Sequence, residues 1–266
     1  MYVRAIIASS SLWLVPALGA TLLVVLEQYH FLAFHTLSEL FSIIICYVLF
    51  ALAWATDRHR KNAFLIFLAC GYFWIGTLDL AHTFSYRGMN VVIEGSGNLS
   101  SQFWIGTRYG EALLLLAAML VANKTVDKLH LFLLFGCGAT VLYWSIASQV
   151  FPTTHVEGVG LTPFKLYSEY VIVGILSAAL FLLHRRRHHF SSIEIKLITT
   201  SIVLTIIAEV FFTLYVDVYD LSNLVGHIFK VTSFWMIFQA VVLVNLNKPY
   251  EELAENRDYN RQLFQS

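Results

Sequence analysis

The chain has 266 residues, of which 58% are hydrophobic and 13% charged, with a formal net charge of zero. A soluble domain carries about 25% charged residues, so this composition excludes an ordinary soluble fold. The lack of net basicity also excludes a nucleic-acid binder that works through bulk charge.

A helix needs about 20 mostly apolar residues to cross the hydrocarbon core. Apolar runs of that length predict an all-α fold, a polytopic membrane helix bundle of about eight transmembrane helices. The spans fall near 5–26, 35–55, 63–83, 103–122, 129–149, 165–184, 195–216 and 223–244. The first run follows Arg4 and contains Ala17-Leu18-Gly19-Ala20, which imitates a signal peptide. It continues to Leu26, too long for a cleaved h-region, and reads as an uncleaved span.

The connections alternate in charge. Segments 1–4, 56–62, 123–128, 185–194 and the tail after Asn245 are basic. Segments 27–34, 84–102, 150–164 and 217–222 carry Arg87 as their one cation, with Lys165 at a helix start. By the positive-inside rule the basic set is cytoplasmic and both termini lie inside. Dropping one span would reverse the bias downstream, so the charges support the count. Cys46, Cys70 and Cys137 all fall inside apolar runs. They form no metal or disulfide spacing and read as small buried residues. Tyr72, Trp74, Phe103, Trp104 and Tyr167 sit near span ends and read as interfacial or packing aromatics.

With this topology the polar residues of the spans collect at one depth. His35 and Glu39 open the second span at i and i+4, and Asp79 and His82 close the third. Arg108 and Glu111 enter with the fourth, and Glu169 lies just inside the sixth. Glu209 and Tyr215 end the seventh, while Asn223, His227 and Lys230 open the eighth. The fifth span contributes nothing comparable. Singly, each residue is ordinary: a histidine at an interface, a local Arg108–Glu111 pair, a snorkelling lysine. Ionisable residues inside a bilayer are costly, and scatter would populate both halves, so their shared outer level points to one connected site. His35, Glu39, Asp79, His82, Glu111, Glu209 and His227 offer imidazole and carboxylate ligands suited to a transition-metal ion. Arg108, Glu169, Tyr215, Asn223 and Lys230 are the candidates for contacting a small polar or anionic ligand. Haem also stays open as a cofactor. A pH-responsive network or a purely structural ion cluster would use the same residues.

Several of these segments resemble a known family. Phe34-His35-Thr36-Leu37-Ser38-Glu39-Leu40 is one, followed by Leu78-Asp79-Leu80-Ala81-His82-Thr83 with Tyr86-Arg87-Gly88-Met89. Arg108-Tyr109-Gly110-Glu111-Ala112, Ala208-Glu209 with Tyr215, and Asn223 to His227 and Lys230 complete the set. Together they are similar to the membrane-associated sensor domain of the third type, a MASE domain. The likeness covers roughly 32–246. It implies a bacterial inner-membrane input module, followed by PAS, histidine-kinase or diguanylate cyclase output.

The expected organisation is a transmembrane sensor domain over 1–246 and a cytoplasmic signalling helix or linker over 247–266. That tail opens on Asn247-Lys248-Pro249 and is charged and helix-compatible. No output domain lies within these residues. The chain is expected to be a piece of a longer protein or a stand-alone sensor acting on a partner. The expected partners are the lipid bilayer, a cytoplasmic output protein or domain, and a second copy in a homodimer, with no nucleic acid. The expected function is a sensor that binds a metal or small polar ligand in its periplasmic half. Occupancy would shift the second, third, seventh and eighth spans, and no catalysis is expected within the chain. The alternatives are an intramembrane metalloenzyme, which needs an open metal position beside a base, and a transporter or proton pathway. The nearly bare inner half disfavours the second.

Overall fold

A computed structural model describes residues 2–57, 63–89, 91, 96–121, 124–214, 221–242 and 257, with the backbone alone for 2–11. The described residues form eight long helices. They are α1 (Tyr2–Tyr29), α2 (Phe31–Thr56), α3 (Ala63–Phe84), α4 (Gly97–Val121), α5 (Lys128–Ala147), α6 (Pro163–Arg185), α7 (Ser192–Leu214) and α8 (Leu221–Val242). All eight are long and apolar enough to cross a membrane. Backbone groups in hydrocarbon must bond within the segment, which is why these runs are helical despite many aromatic and β-branched residues.

Six helices close a ring. α2 packs on α3, α3 on α4, α4 on α6, α6 on α7, α7 on α8, and α8 returns to α2. α5 lies outside the ring against α3, and α1 lies outside against α2 and α8. This explains the silence of the fifth span. Only Gly136 and Ile146 of α5 are buried, and its Leu133, Leu134, Val141 and Trp144 face outward. Cys46 and Cys70 are buried as expected, but Cys137 is exposed, because it lies on this outward-facing helix.

The helix starts follow from local chemistry. Asp127 caps α5 by accepting from the His130 N–H at 2.9 Å. The Asp127 carboxyl is held below the usual aspartate range, chiefly by that backbone bond. Thr162 caps α6, with Pro163 in the first turn where its missing N–H costs nothing. Ser191 and Glu194 form a reciprocal capping box at α7. One close approach matters for the site. A Cβ on Gly226 of α8 would meet Phe212 of α7 at 2.6 Å, so glycine lets these two helices touch beside His227.

Two features at the end where α2, α4, α6 and α8 begin depart from the sequence reading. α4 starts at Gly97, six residues before the predicted span, because polar residues 97–102 extend the helix above the apolar run. The 150–164 connection carries a two-stranded antiparallel hairpin, β1 (His155–Val156) and β2 (Gly160–Leu161), turned through Gly158 and Gly160 at positive φ. The two features are joined. Asn98 Oδ1 accepts from the N–H groups of Thr154 at 2.8 Å and His155 at 3.1 Å. Gln102 donates to the carbonyls of Phe151 and Pro152.

Candidate functional site

The polar residues read from the sequence converge inside the six-helix ring, at the end where α2, α4, α6 and α8 begin. His35, Glu39, Asp79, His82, Arg108, Glu111, Glu169, Glu209, Asn223, His227 and Lys230 are all buried. Tyr215, the remaining candidate, lies outside the described residues, as does the expected helix or linker over 247–266 apart from Arg257.

A chain of ion pairs crosses four helices. Arg108 donates one terminal nitrogen to both Asp79 oxygens at 2.7 Å and the other to Glu111. Lys230 lies 3.6 Å from Asp79 Oδ2 and donates to Glu39 Oε2 at 2.6 Å. Tyr72 donates to the far side of Glu111 at 3.4 Å. Trp104 backs the two cations, with Arg108 at 4.8 Å and Lys230 at 4.6 Å from its ring centre. Such a ring face stabilises a cation that has lost its water. Asp79 and Glu111 are therefore engaged by Arg108.

Glu169 and Glu209 form a second patch. Lys165 lies 2.8 Å from Glu169 Oε1 and donates to the Phe212 carbonyl at 2.7 Å. Glu209 lies beside Glu169, and its Oε2 has no hydrogen-bond partner.

The histidines stand at the outer end of the ion-pair chain. His227 Nδ1 lies 2.9 Å from the Asn223 carbonyl. A carbonyl only accepts, so Nδ1 carries a hydrogen, and in the neutral ring Nε2 bears the lone pair. That Nε2 lies 3.3 Å from Glu39 Oε1, and both atoms are buried without a hydrogen-bond partner. His35 Nδ1 is also buried without a partner. One ligand atom from each of His35, Glu39 and His227 lies within 4.8 Å of the others. This is a buried cluster able to coordinate a metal ion. A tetrahedral ion with bonds of about 2.1 Å spaces its ligands about 3.4 Å apart. The His227–Glu39 pair already has that spacing. His82 stands beside the cluster, its ring centre 5.4 Å from that of His35. Its Nδ1 faces the Ser100 carbonyl at 2.7 Å, which again leaves Nε2 with a lone pair. A backbone carbonyl on the second nitrogen is the usual support of a metal-bound imidazole.

Sequence reasoning missed Trp104, Lys165 and Tyr86 as parts of the site. Trp104 precedes Arg108 by four residues and Lys165 precedes Glu169 by four, spacings that put each pair on one helix face. Tyr86 stacks on His35 with ring centres 3.9 Å apart.

A family model described as a membrane-associated sensor domain, MASE3, matches residues 26–249, most of the chain and all of the ring. No curated protein and no solved structure matches.

Proposed function

The chain belongs to the MASE3 family of membrane-associated sensor domains, and from that premise we propose that it senses a transition-metal ion held between α2 and α8 at the periplasmic end of the bundle. It is a multi-pass bacterial inner-membrane protein. The contact between His227 Nε2 and Glu39 Oε1 carries the reading. A nitrogen lone pair and a carboxylate oxygen repel at that distance unless a cation or a proton lies between them. Two imidazoles and one carboxylate suit a borderline divalent ion, with His82 as the nearest further imidazole.

Charge balance supports the same reading. Among the described residues at this level, five buried carboxylates (Glu39, Asp79, Glu111, Glu169 and Glu209) face three cations (Arg108, Lys165 and Lys230). In the ion-pair chain Glu39, Asp79 and Glu111 face Arg108 and Lys230, and a cation on Glu39 offsets that excess; the other excess charge lies in the Glu169–Glu209 patch.

Glu39 is the proposed transmitter. Its Oε2 holds Lys230 and its Oε1 faces His227. A metal on Oε1 draws electron density from the carboxylate and weakens its hold on Lys230. Lys230 then leans on Asp79, and the ion pairs of α3 and α4 readjust. Because α8 carries both His227 and Lys230, its placement against α2 differs between the two states. Occupancy shifts that equilibrium only by the difference in metal affinity between them. The charged 247–266 segment is the proposed route to a cytoplasmic output of the diguanylate cyclase or histidine kinase type.

Elemental analysis of detergent-purified protein, prepared without chelators, tests the reading. About one equivalent of a single transition metal is expected. It should be lost in a His35→Ala/His227→Ala variant that keeps its helical circular dichroism. Wild-type protein that takes up no metal from a mixture of zinc, nickel, cobalt, copper and manganese overturns it.

A further inference from the structure

The geometry points to a second ligand site directly outside the metal cluster, for a small planar organic anion. It builds on the metal reading only for its floor.

A cavity of about 950 Å³ opens between the 84–89 turn, the start of α4 and the β1–β2 hairpin, and reaches down to His35, His82 and His227. A metal ion needs no such space. Cavities of about 300–1,000 Å³ with aromatic walls and a few convergent polar groups are typical of small organic ligands. The walls here are the rings of Phe31, Tyr86, Trp104 and Phe212. Flat rings on several sides favour a planar guest, which stacks at offset or edge-on geometry.

The charged lining groups, Arg87 and Glu157, offset each other, so the attraction for an anion comes from an ion bound at the floor. The ion-paired carboxylates Glu39, Asp79 and Glu111 lie behind the cavity and do not line it. Its one carboxylate among the described lining residues is Glu157, which pairs at 3.5 Å with Arg87 at the exposed mouth. The remaining polar lining is imidazole, hydroxyl and amide.

Two lining atoms outside the metal cluster add a further pointer. Ser101 Oγ and His155 Nδ1 are buried without a hydrogen-bond partner. Such groups are costly to leave unmet, and a polar guest at this wall would give them partners. They lie on opposite supports, Ser101 on α4 and His155 on β1. Asn98 already ties the hairpin to α4, so a guest between them meets a prearranged wall. Its anionic group reaches the bound ion at the floor, and its ring stacks among the aromatic walls.

Benzoate and 2-naphthoate, with cyclohexanecarboxylate as the saturated control, are suitable probes. Each is titrated calorimetrically into the full chain in nanodiscs, after metal loading and again after chelation, with metal content measured in every sample. Saturable binding of the planar acids, at least about tenfold tighter than the saturated acid, is expected. Ser101→Ala and His155→Ala should weaken it several-fold while metal content and melting temperature hold. Binding should be lost on chelation, and planar binding that persists in metal-free protein overturns the contact between the anion and the ion. No saturable binding in either form, or equal binding of planar and saturated acids, overturns the inference. Because metal content is read independently, a failed cavity is distinguishable from a failed metal site.

Discussion

His227 and Glu39 face each other 3.3 Å apart across the α8–α2 contact, each presenting a buried atom with no hydrogen-bond partner. They lie 188 positions apart in the chain, and the closed ring brings them together. A proton or a metal ion resolves the contact, and the two compete for the same nitrogen.

Metal affinity should therefore depend steeply on pH. Acid weakens metal binding, because a proton and the ion compete for the same imidazole nitrogens and the ligand must be deprotonated. His227→Ala should reduce affinity by about 100-fold or more, and His82→Ala by less. Competition titration against a chelator at several pH values gives both numbers. An affinity unchanged in His227→Ala would exclude that imidazole as a ligand.

Lys230→Met removes a positive charge 2.6 Å from the other oxygen of Glu39. It should raise metal affinity by about tenfold or more, since the ammonium repels the ion through a poorly screened interior. The same change leaves Glu39 and Asp79 short of a cation, so the metal-free variant should melt earlier. Added metal should raise its melting temperature more than that of the wild type. Equal metal-induced shifts in the two proteins would contradict the proposed coupling through Glu39.

Arg108→Met should destabilise the bundle by about 3–5 kcal/mol, because it strands Asp79 and Glu111 in the interior. Adding Asp79→Asn should recover part of that loss, as expected for residues that share one ion pair. Thermal unfolding in a single detergent compares the three proteins. If the double variant is no more stable than Arg108→Met, the pair is not the source of the cost.

The span count and the shared depth of the polar residues were both legible, because a charge pattern alternating between connections orients every helix. The quiet fifth span could also be read, since a helix outside the ring needs no polar residue. Other contacts could not be read. Trp104 of α4 meets Lys230 of α8 through the closed ring of helices, and no local spacing encodes that contact. Residues 97–102 are too polar to count as a span, yet they continue α4 and hold the hairpin through Asn98. Lys165 looked like a residue at a helix start, while its ammonium reaches the Phe212 carbonyl, 47 positions away in the chain.

Asn98→Ala tests the hairpin support. It removes the acceptor for the N–H groups of Thr154 and His155. The loss of two hydrogen bonds, about 1–3 kcal/mol together, should speed amide exchange over 153–162 by roughly 5- to 100-fold. Hydrogen–deuterium exchange with mass spectrometry reads this directly. Exchange over α6 and α7 should stay unchanged, and a general increase would mean that Asn98 supports the whole fold.

X-ray absorption spectroscopy of the metal-loaded protein tests the central claim most directly. The account predicts a nitrogen and oxygen shell at about 2.0–2.1 Å, with outer-shell scattering from two or three imidazoles. His35→Ala/His227→Ala should abolish that scattering. A sulfur shell, or a shell of oxygen alone that survives the double variant, would place the metal elsewhere and contradict the account.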